Sequence, residues 1–496
     1  MKGNQMKIRA YTATDFYKTG HIFQFPKGTT FVYSNMTPRS DKNAKVLPDF
    51  DHKVVNFGAL GVCKWLLRDL WNETFFNRPK EEVVKYYKRR MDTALGPGAV
   101  TVDHIAALHD LGYLPIAFLE LPEGSRVDMR VPVWLIYNTH PDFFWVTNYL
   151  ETQLSAELWK PLTSATIAHE FRRLLDRFTF QTGAAPEFVQ WQGHDFSNRG
   201  MSGIYDAAMS GAAHLLSFTG TDTINAIDYL EDYYNADADK ELIGGSVAAT
   251  EHSVMSSGGK EDEEETYRRL ITEVYPTGIV SIVSDTWDFW HVLTVTARNL
   301  KKEIMARNGR LVFRPDSGDP VKIIVGDTSA PVGSPEYKGA VECLFDIFGG
   351  TRTDKNYITL DTHVGLIYGD SISLEREQAI LQGLKDKGFS SGNIVFGIGS
   401  FTYNFCTRDT FGTAIKATYA IVNGEARELF KDPKTDNGIK KSACGLIKVT
   451  KEDGHYVMHD HQLDLNDVGE FVEIFRDSKI THEFTLAEIR ERLTKS

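Results

Sequence analysis

Arg314-Pro-Asp316-Ser-Gly318 puts a guanidinium and a carboxylate two residues apart at the end of an apolar run. Such a pair binds a phosphate or sugar hydroxyls, and it equally makes a structural ion pair at a strand end. Gly397-Ile-Gly399-Ser400 follows a second apolar run, where its backbone N–H groups either cradle a phosphate or form a plain turn. Asp222, Glu251, Asp285, Asp316 and Asp370 also fall just beyond strand-like runs. Singly each is a loop or helix cap, but several converging on one mouth would serve a cation, either Mg²⁺ with a polyphosphate or positive charge developing on a sugar. His252 follows Glu251 in a short Ala/Ser-rich segment, as a candidate general base, phosphate ligand or phosphoacceptor, or as a surface cap.

The elements that must position these groups repeat as strand, loop, helix. FVQWQ precedes Gly193, LLSF precedes Gly220, and GSVAAT precedes Glu251. VSIVS precedes Asp285, RLVFR precedes Pro315, GLIYG precedes Asp370, and NIVFG runs into Ile398. Residues 373–387 have helical spacing with Gly388 as the stop. Roughly seven βα units with sites at the strand C-terminal ends fit an open doubly wound sheet or a closed barrel, and the length of this stretch favours the barrel. The first part of the chain mixes helical residues 79–95 with strand-like 130–137. Residues 326–337 read as a surface loop, and the acid run 260–265 before Arg268 and Arg269 as an exposed helix with no catalytic role. The tail is strand-rich after Cys406 and ends with a Thr485…Glu488 capping box.

The 496 residues are 42% apolar and 25% charged, which excludes a disordered chain and leaves room for two or three domains. A net charge of −12 argues against nucleic acid and anionic membranes as partners, so any phosphate site is a local cluster. No apolar run is long enough to span a bilayer, and the N-terminus lacks a signal-peptide core, so a cytoplasmic location is expected. Cys63, Cys343, Cys406 and Cys444 form no C-x-x-C pair and have no nearby His set, so neither disulfides nor a zinc site is expected.

Nine strings taken in order identify a family. They are Ala13-Thr14-Asp15-Phe16-Tyr17-Lys18-Thr-Gly-His21, His194-Asp-Phe196-x-x-Arg199-Gly, Gly220-Thr-Asp222-Thr, Glu251-His252-Ser, Val283-Ser-Asp285, Arg314-Pro-Asp316-Ser-Gly318, Gly369-Asp370, Phe396-Gly-x-Gly399 and Thr407-Arg408-Asp. Together with Lys431-Asp-Pro433, this series resembles the nicotinamide phosphoribosyltransferase family along nearly the whole chain. The resemblance implies a homodimeric type II phosphoribosyltransferase whose active sites lie at the subunit interface. Its fold would be an irregular α/β barrel, 166–404, with an α+β domain built from both chain ends, 1–165 and 405–496.

By the same resemblance, Phe196 stacks on one face of nicotinamide and Tyr17 of the partner subunit on the other, while Asp222 accepts the carboxamide N–H. Arg199 and Arg314 meet phosphate or pyrophosphate oxygens, and Arg314 also lies near the pyridine. Asp316, Gly369 and Asp370 face the ribose, and Asp285 with Asp316 forms the Mg²⁺ region. Gly399, Ser400, Arg408, Arg39 of the partner subunit and Lys416 of the partner subunit belong to the phosphate-binding set. His252 matches a phosphorylatable histidine through which ATP hydrolysis promotes substrate binding, so ATP is an expected co-substrate, and His252, Asp285 and Asp316 are the expected catalytic group. Three positions depart from the family pattern: Ser400 replaces a glycine, and Ile398 and Phe16 replace small residues.

The implied reaction is attack of nicotinamide on C1 of phosphoribosyl pyrophosphate, giving nicotinamide mononucleotide and pyrophosphate in NAD salvage. Its transition state resembles an oxocarbenium ion and needs no covalent intermediate. Nicotinate phosphoribosyltransferase is the nearest rival, and Asp222 argues against it because a carboxylate repels an acid substrate. A barrel glycoside hydrolase would use two of the acids but leaves the arginines unexplained. A noncatalytic nucleotide sensor or an extracellular signalling role is the third alternative.

Overall fold

A computed structural model of the chain describes residues 8–430 and 443–496. Lys431-Asp-Pro433, the end of the motif series, lies outside the described residues, as do residues 1–7 of the N-terminal reading.

Alternation along the strand Asn308–Arg314 shows how the catalytic half is built. Leu311 and Phe313 are buried, whereas Arg310, Val312 and Arg314 line a cavity on the other face. The neighbouring strand Thr277–Val283 repeats the pattern, with Val280 and Ile282 buried and Ile279 and Ser281 on the cavity. Successive side chains of a strand point to opposite faces, so one face of each strand packs on helices and the other surrounds an open interior.

In chain order the parallel strands are Gly193–Asp195, Gly220–Thr221, Ala248–Ala249, Thr277–Val283, Asn308–Arg314, Val364–Tyr368 and Val395–Ile398. They are arranged second, first, seventh, sixth, fifth, fourth, third. A parallel bridge between Gly220 and Gly245 joins the second strand to the segment entering the third, so the sheet curls back on itself. Helices follow the strands, among them Ile204–His214, Ile224–Tyr234 and Leu374–Asp386. Ser373 caps the last of these through its hydroxyl, and Gly388 beyond it has φ +81°.

A second, antiparallel sheet draws on both chain ends. Its order is Glu425–Glu428, Ala414–Val422, Thr29–Thr37, Trp134–Asn138, Ile116–Glu120, Val472–Arg476, Lys479–Ile480. The capping box at Thr485 and Glu488 opens the final helix, Leu486–Thr494.

Three sequence expectations need correction. FVQWQ is helical, with Pro186–Phe188 in a 3-10 turn and Val189–Gln192 in α-helix, because Val189 and Gln192 are buried three residues apart; the strand is the polar Gly193–Asp195. LLSF follows the end of the helix Ile204–His214, and the strand comes later at Gly220–Thr221. Within 130–137 only Trp134 onward is strand, since Arg130 takes φ +71° in a turn. The 38-residue helix Trp145–Thr182 is continuous. Its Pro161 is accommodated by Gly58, where a Cβ would lie 2.5 Å from the Pro161 ring.

Candidate active site

Phe196 leaves the first barrel strand directly onto glycine. A Cβ at Gly397 would lie 2.3 Å from the Phe196 ring, and one at Gly369 would lie 2.8 Å away. Both positions must therefore lack side chains for the ring to lie where it does. Two residues earlier on the same strand face, His194 meets the Phe196 ring at a centroid distance of 5.0 Å. His194 Nε2 lies 2.9 Å from Asp222 Oδ1, which also accepts a hydrogen bond of 2.6 Å from the Ser246 hydroxyl. Burial would raise the Asp222 pKa, but the His194 and Ser246 hydrogen bonds and the Arg314 charge hold it below the usual carboxylate value.

These groups open into a cavity of about 750 Å³ that Phe196, Asp222 and Arg314 line together with Ser246 and Val312. It extends to Asn308 and His363 near the N-terminal ends of the fifth and sixth strands. The wall mixes apolar side chains with polar ones, among them Arg307, Arg310 and Arg314, and its part beside Phe196 and Asp222 suits a flat heteroaromatic ring with a hydrogen-bonding substituent.

Arg314 ends the fifth strand and is buried. Its Nη2 donates to the Thr250 carbonyl, and its Nε lies 3.5 Å from Asp316 Oδ2. Asp285 Oδ2 accepts from the Asp316 N–H at 2.9 Å and from the Ser317 hydroxyl at 2.5 Å. Asp285 Oδ1 is buried without a hydrogen-bond partner and lies 3.7 Å from His252 Nε2. Burial raises the Asp316 pKa; Arg314 and His252 oppose the shift, and Asp285 and Asp370 add to it. Asp285, Asp316 and Asp370 thus share one electrostatic neighbourhood.

Glu251 does not join these acids. It is exposed at the N-terminal end of the helix His252–Ser257 and accepts a hydrogen bond from the Ser253 hydroxyl, without capping a backbone N–H. His252 on the same turn is 52% exposed at its side chain, and its Nδ1 is 3.2 Å from the Thr286 hydroxyl.

The seventh strand ends at Ile398, and Gly399 leads into the short helix Ser400–Tyr403. Ile398 is buried, so this departure from the family pattern does not reach the loop surface. Ser400 packs over Gly200, where a Cβ would meet its Oγ at 2.0 Å, and so joins the loop to the exposed turn carrying Arg199. Arg408 is exposed beside Asp409 at 3.3 Å, and Asp370 is exposed with Ser371 donating to it.

Tyr17, Arg39 and Lys416 do not line this cavity. Tyr17 is 59% exposed in a short turn with Phe16, and its ring contacts are His21 and Lys18. Arg39 and Lys416 are also exposed, with Arg39 Nε donating to the Gly412 carbonyl.

Sequence reasoning assigned no role to His194, Ser246 or Thr250. His194 was detectable by alternation, because it shares a strand face with Phe196. Ser246 and Thr250 gave no local signal.

The fold is similar to that of a nicotinate-nucleotide pyrophosphorylase from Pyrococcus furiosus, with a TM-score of 0.58 at 16% identity over 100% of this chain and 98% of the other. The likeness is one of fold: parallel strands here curl into a barrel with acids and an arginine at their ends. Residues 191–472 match the nicotinate phosphoribosyltransferase (NAPRTase) family. A nicotinamide phosphoribosyltransferase from Acinetobacter baylyi is 57% identical over 99% of this chain and 98% of its own. One from Mycoplasma pneumoniae is 33% identical over 86% of this chain and 93% of its own. The chain belongs to this phosphoribosyltransferase family.

Proposed function

We propose that the protein transfers the phosphoribosyl group of phosphoribosyl pyrophosphate to nicotinamide, releasing pyrophosphate. The observation that carries the choice of amide over acid is Asp222, an anion at the cavity beside Phe196. Its oxygens accept from a carboxamide N–H, whereas a nicotinate carboxylate would face a like charge. The family description names nicotinate, and the curated relatives named above carry the amide name. The family also supersedes the glycoside hydrolase and sensor alternatives. Asp222→Asn removes the repulsion and one charge-assisted hydrogen bond, worth on the order of 1.5–3 kcal/mol. Nicotinamide kcat/KM is expected to fall by roughly 10- to 100-fold, and the preference over nicotinate to shrink. An unchanged ratio of the two kcat/KM values would remove Asp222 from this role.

Phe196 presents a π face to the ring as it becomes a pyridinium, which favours the developing cation. Arg314 stabilises the charge building on the leaving pyrophosphate, and the nearby carboxylates tolerate positive charge at C1. Asp285 and Asp316 fit Mg²⁺. The unpartnered buried Oδ1 and the raised Asp316 pKa are the signs of an acid pair that a divalent cation relieves. When bound with substrate, the ion would neutralise pyrophosphate oxygens.

His252 is exposed next to Asp285, so an imidazole nitrogen is accessible to ATP as well as close to the acid cluster. It serves as the phosphoacceptor that couples ATP hydrolysis to substrate binding. His252→Ala should keep basal turnover and lose ATP stimulation in a steady-state assay; a full response to ATP would leave His252 a capping residue. Completion of the site by Tyr17, Arg39 and Lys416 from a second copy makes the working unit a homodimer. Among the described residues no helix is long and apolar enough to cross a membrane, and a cytoplasmic location suits a soluble NAD-salvage enzyme.

A further inference from the structure

We propose a second cation site, remote in chemistry from the barrel acids, at which Glu428, Cys444 and His461 bind a divalent transition metal of the Zn²⁺ type. One carboxylate oxygen, the sulfur and one ring nitrogen of these residues lie within 4.8 Å of one another. Three separate elements bring them together. Glu428 ends the strand Glu425–Glu428, Cys444 lies just before the strand Leu446–Glu452, and His461 is on the strand His455–Gln462 that pairs with it. No zinc pattern is visible along the chain because the donors are 16 and 17 residues apart and meet only when the hairpin folds.

The backbone holds the arrangement. The His461 N–H donates to the Cys444 carbonyl at 2.9 Å, and the Gly445 N–H to the Thr418 carbonyl at 2.9 Å. Gly445 has φ +75°, and a Cβ there would lie 2.6 Å from Glu428 Oε1, so a larger residue would both strain the backbone and push the carboxylate from its place.

Spacing and donor type select the metal. Cys444 Sγ is 3.7 Å from Glu428 Oε2, and His461 Nδ1 is 2.8 Å from Glu428 Oε1. Ligand bonds of about 2.0–2.3 Å around a tetrahedral ion put neighbouring donors about 3.3–3.8 Å apart. The Cys–Glu spacing already fits, and the His–Glu pair needs to open by about half an ångström. A thiolate, an imidazole and a carboxylate favour Zn²⁺ over Mg²⁺, which takes oxygen donors.

A supporting acid stands behind the ligands. Asp460 Oδ2 accepts from the Cys444 N–H at 3.3 Å and faces His461 Nε2 at 3.8 Å. Metal-bound histidines commonly turn their second nitrogen toward such a carboxylate. Binding displaces the Cys444 thiol proton to solvent, which the exposed Glu428 and His461 side chains face.

The test is a Co²⁺ titration of the full-length protein after treatment with a chelator, followed by absorption. The site predicts a thiolate-to-Co²⁺ charge-transfer band that saturates at one equivalent per chain and is displaced by Zn²⁺. Cys444→Ser should abolish the band. The exposed variant His461→Gln, which puts little of the fold at risk, should weaken binding by roughly tenfold or more. Co²⁺ held by Asp285 and Asp316 has only oxygen donors and gives no such band. Absence of the band in the wild type, its survival in Cys444→Ser, or unchanged affinity in His461→Gln would each overturn the proposal.

Discussion

Replacing Arg314 with Met is expected to lower kcat/KM by roughly 10²- to 10³-fold, the usual cost of removing one preorganised electrostatic group from a transition state. Arg314 is buried at the end of the fifth barrel strand, fixed on one side by the Thr250 carbonyl and on the other by Asp316. It also helps hold Asp222 ionised. Its loss therefore removes positive charge from the leaving group and weakens the amide reader at once. Lys at this position should restore little, because a point charge cannot bridge the carbonyl and the carboxylate as the planar guanidinium does. Steady-state kinetics together with a melting curve check the result. A loss below about threefold in a normally folded variant would mean that Arg314 is only the strand-end ion pair that the sequence also allowed.

The second large effect concerns sharing of the site between subunits. In the proposed homodimer, Tyr17→Ala and Phe196→Ala variants should each be nearly inactive, since every site would lose one stacking face. A heterodimer of the two variants rebuilds one site with both rings and leaves the other with neither. Purified heterodimers should recover activity toward half the wild-type level. The exposed Tyr17 ring, with no neighbour from the barrel cavity, motivates this expectation. Heterodimers no more active than either parent, with dimerisation intact, would show that the two rings do not meet across an interface.

Strand signals were legible where strands are long and one face is buried in the outer helical layer. RLVFR falls within Asn308–Arg314 and VSIVS overlaps Thr277–Val283 up to Val283, and the acids beyond them lie at the strand ends. The first three barrel strands have two or three residues each, too few to show a period, so the apolar runs FVQWQ and LLSF beside the first two mislead, whereas GSVAAT contains the third. A hollow barrel worsens this, because its inner face carries Arg310, Ser281 and His194 where a filled core would carry apolar residues. Asp222, Phe196 and Arg314 were recognisable from motif strings. His194 and Ser246, which set the charge state of Asp222, depend on contacts 28 and 24 residues distant in sequence. Glu251 shows the converse, since an acid beyond a strand-like run is exposed and pairs only locally with the Ser253 hydroxyl.

The most direct measurement is product formation by the purified wild-type protein with phosphoribosyl pyrophosphate and Mg²⁺, given nicotinamide in one reaction and nicotinate in a parallel one. An anionic Asp222 beside the Phe196 ring predicts nicotinamide mononucleotide as the product and a kcat/KM for the amide at least about tenfold above that for the acid, the equivalent of one net hydrogen bond. Equal or greater efficiency with nicotinate would contradict the account.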